Sequence, residues 1–280
     1  MNGPKAENET GTSVELTARY EFAQQIAREA GDVTLQYFQK SIDVDRKQDG
    51  TPVTIADREA ELLLRERINS RFPQDGILGE EHGETAGASG FRWILDPIDG
   101  TKSFVSGVPL YTTLIGVLKN ETPQIGVIAA PALGEMLHAQ VGGGAWYEQR
   151  ERTPVRAKVS SCGSLSDAVF VTSERATFDD RDAGDAYRQL ENTARLTRTW
   201  GDAYGYLLVA TGRAELMIDA ILSVWDAAAV APVMTEAGGT FTDWQGKPTI
   251  FSREAIGTNG PILNEVLEIV RSFPPLKQDG

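Results

Sequence analysis

Apolar and polar positions along this chain repeat with two periods, and the change from one to the other marks out helices and strands. Leu16, Tyr20, Ala23, Ile26, Ala27, Ala30 and Val33 recur at helical spacing with charges between them, predicting an amphipathic helix over 13–38. Residues 43–52 read as a charged loop. A second helix is expected over 54–72, with Ala60, Leu63, Leu64 and Ile68 on its buried side. Ile77-Leu78 predicts a short strand, followed by the loop Gly79-Glu80-Glu81-His82-Gly83. Trp93-Ile94-Leu95 reads as a buried strand that stops at Asp96, because Pro97 fixes its own φ and lacks a donor. Further strands are expected over 110–118, 124–130 and 135–140. The glycines at 142–144 read as a turn without the spacing of a dinucleotide fingerprint.

After a polar connection over 154–163, strands are expected over 168–172, 195–199 and 214–219, and helices over 182–192 and 203–211. An alanine-rich helix follows Asp226 and ends at Ala237-Gly238-Gly239 as a glycine cap should. A strand and turn over 241–244 and a final helix from Pro261 to about 272 complete the pattern. Helices and strands alternate throughout, which implies an α/β chain. The reading is one unit over 13–275, with sub-halves 13–150 and 151–275 sharing a cleft and a flexible segment at 1–12.

Composition narrows the chemistry. The 280 residues are 41% hydrophobic and 24% charged, ordinary for a globular protein with a large core. No run is long and apolar enough for a membrane span, and the start lacks a signal-peptide core. A single cysteine, Cys162, allows no disulfide within the chain and fits a reducing compartment, hence an expected cytoplasmic location. A net charge of −13 argues against a nucleic-acid partner. Two histidines, His82 and His138, leave little from which to build a zinc site or a histidine triad. Carboxylate chemistry with a hard cation is what remains.

The acids sit at breaks in structure. Asp96 and Asp99 bracket a turn that Gly100-Thr101 leads into a helix start, a place where carboxylates could hold Mg²⁺ beside a phosphate facing helix amides. A plain turn role is the alternative. Thr54-x-x-Asp57 resembles a capping box, so Asp57 can serve as a cap, a site acid, or both. Glu80 and Glu81 could mark a solvated loop or supply a further ligand. Asp226, alone, would read as an N-cap.

Taken together, Pro52-Val53-Thr54-Ile55-Ala56-Asp57, Gly79-Glu80-Glu81, Asp96-Pro97-Ile98-Asp99-Gly100-Thr101 and Trp225-Asp226-Ala227-Ala228-Ala229 resemble the motifs of the inositol monophosphatase family. The resemblance runs from about residue 20 to 270. It implies a layered αβαβα sandwich and a Mg²⁺-dependent phosphatase with two or three ions, commonly a homodimer, acting on a small phosphorylated metabolite. It further implies that Glu80, Asp96, Asp99, Asp226 and the carbonyl of Ile98 hold the metal. Asp57 and Thr101 would activate water, with Glu80 contributing, and Gly100 and Thr101 would cradle the phosphate. Ser103-Phe104-Val105-Ser106-Gly107 and Trp200-Gly201-Asp202-Ala203-Tyr204-Gly205-Tyr206 resemble the histidinol-phosphatase branch, with Asp202 and Asp219 as candidates to pair a substrate ammonium. An inositol or sugar phosphatase is the rival within the class, and a catalytically silent metabolite-binding protein the rival outside it. Lys47 and Lys102 are cations to which the sequence assigns no role.

Overall fold

The computed structural model of the protein describes residues 5–47 and 52–276, with side chains from residue 14 onward. The chain opens with α1 (Lys5–Tyr37), the hairpin strands β1 (Val44–Arg46) and β2 (Pro52–Thr54), α2 (Ile55–Arg71), β3 (Gly76–Gly79) and β4 (Gly83–Thr85). Then come β5 (Phe91–Asp99), α3 (Thr101–Val105), β6 (Thr112–Lys119), β7 (Thr122–Ala130), β8 (Glu135–Gln140), β9 (Gly144–Gln149) and β10 (Val155–Arg156). The second half supplies β11 (Val169–Val171), α4 (Ala176–Asp180), α5 (Gly184–Thr193), β12 (Leu196–Arg198), α6 (Ala203–Ala210) and β13 (Leu216–Asp219). It closes with α7 (Val224–Ala228), α8 (Val230–Glu236), β14 (Thr240–Thr242), β15 (Ala255–Thr258) and α9 (Leu263–Val270).

Strands β10-β9-β8-β7-β6-β5-β3-β4 form an eight-stranded sheet, and β12-β11-β13-β15-β14 a five-stranded one. Side chains on successive strand positions face opposite ways, and that alternation builds the layers. Trp93, Leu95, Ile115 and Val117 face one way, packing on Ile26, Ala27, Ala60 and Leu64 of α1 and α2. Ile94, Leu114 and Ile128 face the other, packing on Leu207, Ala228 and Val233, which also cover Met217 and Phe241 of the second sheet. Phe170, Leu216 and Ile218 of that sheet turn outward to meet Tyr187, Leu190, Val266 and Val270 of α5 and α9. Helix, sheet, helix, sheet, helix: the expected five layers are present.

The middle layer lies close on the large sheet because two strand glycines make room. A Cβ at Gly126 would lie 2.0 Å from the Ala229 carbonyl oxygen, and one at Gly116 2.7 Å from Ala228 Cβ. Alanine on the helices and glycine on the strands bring α7, and Asp226 with it, down onto β5 and β6.

Several expectations need correction. Residues 43–52 contain the β1–β2 hairpin, whose three-residue strands are too short to show a period. Gly83 begins a strand, and β10, α4 and β15 were not anticipated. The alanine-rich stretch is two helices rather than one. Helix α1 is longer than its apolar periodicity, and residues 1–4 of the expected flexible segment lie outside the described residues.

Candidate metal centre

Parallel pairing delivers the first two acids. Strands β3 and β5 run side by side with Gly79 opposite Leu95, and the Glu80 amide donates to the Leu95 carbonyl at 3.2 Å. Glu80 and Asp96 therefore leave the carboxyl ends of adjacent parallel strands together, where open α/β sheets place ligands. Strand β5 does not end at Asp96 as the proline suggested. Its pairing with β6 shifts register between Asp96, opposite Leu114, and Asp99, opposite Thr112. The irregularity absorbs Pro97, which has no donor to lose there, and Thr113 Oγ1 donates to the Pro97 carbonyl at 2.8 Å.

That kink turns Asp99 back toward Asp96. The Ile98 amide donates to Asp96 Oδ1 at 3.1 Å, while Thr112 Oγ1 and the Ala203 amide donate to Asp99 Oδ2 at 2.8 and 2.6 Å. Gly100 then adopts φ 86°, the left-handed conformation that leads into α3. Asp226 arrives from the second half of the chain. The N-cap of its helix is Ser223, and Asp226, which alone would have read as that cap, completes the capping box from the third helical position by accepting from the Ser223 amide at 2.7 Å. One oxygen each of Asp96, Asp99 and Asp226 lies within 4.8 Å of the others.

Asp57 uses its two oxygens in different places. Oδ2 closes the cap of α2, accepting from the Thr54 amide at 2.8 Å and the Thr54 hydroxyl at 2.6 Å. Oδ1 faces the Asp99–Thr101 turn and accepts from Thr101 Oγ1 at 3.4 Å, while the same hydroxyl lies 3.1 Å from the Ile98 carbonyl oxygen.

The electrostatics of the cluster are unbalanced. Burial, reinforced by Glu80, Asp99 and Asp226, pushes Asp96 well above the usual carboxylate range. Burial and the charges of Asp202 and Asp226 do the same to Asp99, against the donors Ala203 and Thr112. Burial and Glu80 raise Asp226 to about 7, although the Ser223 amide opposes the shift. Burial also raises Asp57 and Glu80, opposed at Asp57 by Thr54 and at Glu80 by Lys47. Lys47 lies 2.7 Å from Glu80 and 2.5 Å from Glu81; its own pKa is raised because these acids outweigh its burial. Among the described residues, no lysine or arginine pairs with Asp96, Asp99 or Asp226. An all-oxygen set of crowded, uncompensated carboxylates, with Asp96 and Asp99 buried and Asp226 half-buried, fits a hard divalent cation.

Asp202 and Asp219 stand beside this centre. Asp219 accepts from Ser173 Oγ at 2.6 Å and Tyr206 Oη at 2.9 Å, and burial, with Asp202 nearby, raises it to about 7. Burial likewise raises Asp202, against Ser173 and Lys102. A Cβ at Gly100 would fall 2.8 Å from Asp202 Oδ2, so a glycine there is required by space as well as by φ. Lys102, from the first half of the chain, is paired with Glu174 from the second. Thr112, Ser173 and Glu61 were not singled out in the sequence. Only Glu61 carried a signal: it lies one helical turn from Asp57.

A five-layered α/β fold that gathers Glu80 and Asp96 from adjacent parallel strands beside Asp99 and Asp226 offers an acidic cluster able to hold a metal ion. The model of the inositol monophosphatase family matches residues 15–272. A histidinol-phosphatase from Chlorobaculum parvum is 44% identical over 86% of this chain and 92% of its own length. A histidinol-phosphatase from Streptomyces coelicolor is 38% identical, again over 86% and 92%. Among solved structures, a Thermotoga maritima IMPase superposes with a TM-score of 0.82 at 31% identity, covering 91% of this chain and 98% of its own. The chain belongs to the inositol monophosphatase family and is a phosphatase.

Proposed function

We propose that the protein is a Mg²⁺-dependent histidinol-phosphate phosphatase, converting L-histidinol phosphate and water to L-histidinol and phosphate, a reaction of histidine biosynthesis. The observation that carries the metal chemistry is the uncompensated cluster of Asp96, Asp99 and Asp226, whose ligand oxygens lie within 4.8 Å of one another. The substrate reading is supported by the 44% identical relative named histidinol-phosphatase. A soluble homodimer in the cytoplasm, formed of one domain over 13–275, completes the reading.

Glu80, Asp96, Asp99, Asp226 and the Ile98 carbonyl hold two or three Mg²⁺ ions. Mg²⁺ held there would supply charge neutralisation at the phosphoryl oxygens and make the attacking water easier to deprotonate. Thr101 Oγ1, which lies between the Ile98 carbonyl and Asp57 Oδ1, orients the attacking water. Asp57, assisted by Glu80, takes up its proton. The amides of Gly100 and Thr101 cradle the phosphate at the start of α3. As the new oxygen–phosphorus bond forms, the ester bond breaks and the leaving oxygen departs with the electron pair and gains a proton. Asp202 and Asp219 pair the substrate ammonium.

A second substrate reading, inositol 1-phosphate, is favoured by the 32% identical Thermotoga maritima relative named fructose-1,6-bisphosphatase/inositol-1-monophosphatase. Phosphate release by pure protein with Mg²⁺, compared as kcat/KM on the two substrates, decides between them. Preference for histidinol phosphate is expected, abolished by EDTA and lowered by about 10³-fold or more in Asp99→Asn, the scale of several kcal/mol of metal-assisted charge stabilisation. Preference for inositol phosphate would overturn the substrate, and metal-dependent turnover of neither would favour a binding role.

A further inference from the structure

Glu61 is a buried charge with no part in the proposed chemistry. It lies on α2 four residues after Asp57 and four before Arg65, so the three share one helix face. The residue is 0% exposed, and a carboxylate in that position must be held by donors or it destabilises the fold. Its donors are all close to Glu80. Oε2 accepts from the Glu81 amide at 2.7 Å, and Oε1 accepts from the His82 amide at 3.1 Å and Arg65 Nε at 2.7 Å. Arg65 in turn donates to the Gly83 carbonyl and to Thr85 Oγ1. A Cβ at Gly79 would lie 2.1 Å from Glu61 Oε1, so a glycine at the end of β3 is what lets the carboxylate lie across the strand end.

We propose that Glu61 is a positioning residue of the metal centre, fixing the backbone at 81–82 so that Glu80 stays beside Asp96. This rests on the reading of Glu80 and Asp96 as holders of a divalent cation. Helix α2 then does two things from one face: Asp57 meets Thr101, and one turn later Glu61 grips the loop that carries Glu80. The distance between the water-orienting acid and the Glu80 carboxylate is set by a rigid helical turn rather than by a free loop. Outer partners of metal ligands commonly change metal affinity by about 10–100-fold when removed. A carboxylate that merely stapled the β3–β4 turn would change stability alone.

The test is Mn²⁺ binding without substrate, followed by electron paramagnetic resonance of free Mn²⁺, in wild type, Glu61→Gln, Glu80→Gln and the double variant. Gln keeps the size of Glu61 but places a donor against backbone donors. The expected result is a Kd raised by about 10–100-fold in Glu61→Gln, with the double variant no weaker than Glu80→Gln alone. Saturating Mg²⁺ should restore most of the kcat of Glu61→Gln. Wild-type Mn²⁺ affinity in folded Glu61→Gln, or effects of the two substitutions that simply add, would overturn the proposal. If Glu61→Gln does not fold, Arg65→Gln, at a side chain 11% exposed, is read in the same way and should weaken Mn²⁺ binding; unchanged binding counts against the proposal. Mn²⁺ affinity unmoved by Glu80→Gln would overturn the assignment of Glu80 itself.

Discussion

Asp75 and Asp99 are buried carboxylates at opposite ends of neighbouring parallel strands, and the protein holds them in opposite ways. Asp75 precedes β3 and is enclosed by donors. Arg19 grips it with two bonds of 2.8 Å, Ser89 Oγ donates at 2.6 Å and Trp93 Nε1 at 2.8 Å. Burial would raise its pKa, but these partners outweigh burial and hold it below the usual range. Asp99 ends β5 with two neutral donors, Thr112 and Ala203, and faces other carboxylates. A structural acid comes with its cation from within the chain, whereas the Asp99 cluster leaves a place for one from outside.

The largest effect that would sharpen this contrast is on folding. Asp75→Ala leaves the Arg19 guanidinium buried without its partner and should lower unfolding free energy by about 3–5 kcal/mol in urea titrations. The metal-dependent activity of the remaining folded protein should be unchanged, because Asp75 lies at the other end of the sheet from Asp96 and Asp99. A smaller effect concerns pH and reverses its sign between acid types. With a folded pKa below the ordinary value, Asp75 contributes stability at neutral pH that is lost as pH falls through that folded value. Asp219 does the reverse. Raised to about 7 in the fold, it costs nothing below an unfolded pKa of about 3.9. Its cost grows as pH rises toward 7, because the folded state then binds more protons than the unfolded state. The urea midpoint of metal-free protein should therefore decrease as pH rises from about 4 to 7, and less so in Asp219→Asn. A midpoint that rises across that window in metal-free wild type would break the comparison.

How much of this the sequence disclosed depends on whether the cause was local. The start of α2 was legible because Thr54 and Asp57 form a capping box three residues apart, a purely local device. The layers were expected from the family resemblance; Trp93, Ile94 and Leu95 read only as a buried strand, and the packing on both faces shows that they alternate. The acid turn was placed correctly but its backbone was not. Proline signals a strand break, whereas β6 tolerates Pro97 through a register shift that only pairing with Thr112 and Leu114 can show. Asp226, expected as a metal ligand from its motif, would alone have read as an N-cap; the cap is Ser223, which the motif did not include. Glu61 and Lys47 were obscure for the same reason: both act on the 80–82 loop from segments 19 or more residues away in sequence. Long-range hydrogen bonds leave no period in a sequence.

The most direct measurement is the melting temperature at pH 8 of wild type and Asp99→Asn, each with EDTA and with Mg²⁺. In Asp99→Asn the amide oxygen can still accept from Thr112 and Ala203, while the new amino group faces the carboxylates that repel Asp99. Asp99→Asn should therefore melt higher than wild type in EDTA, and Mg²⁺ should raise the melting temperature of wild type far more than that of the variant. A wild type indifferent to Mg²⁺, or an Asp99→Asn that melts lower than wild type in EDTA, would contradict the view that this centre is built to take its counterion from solution.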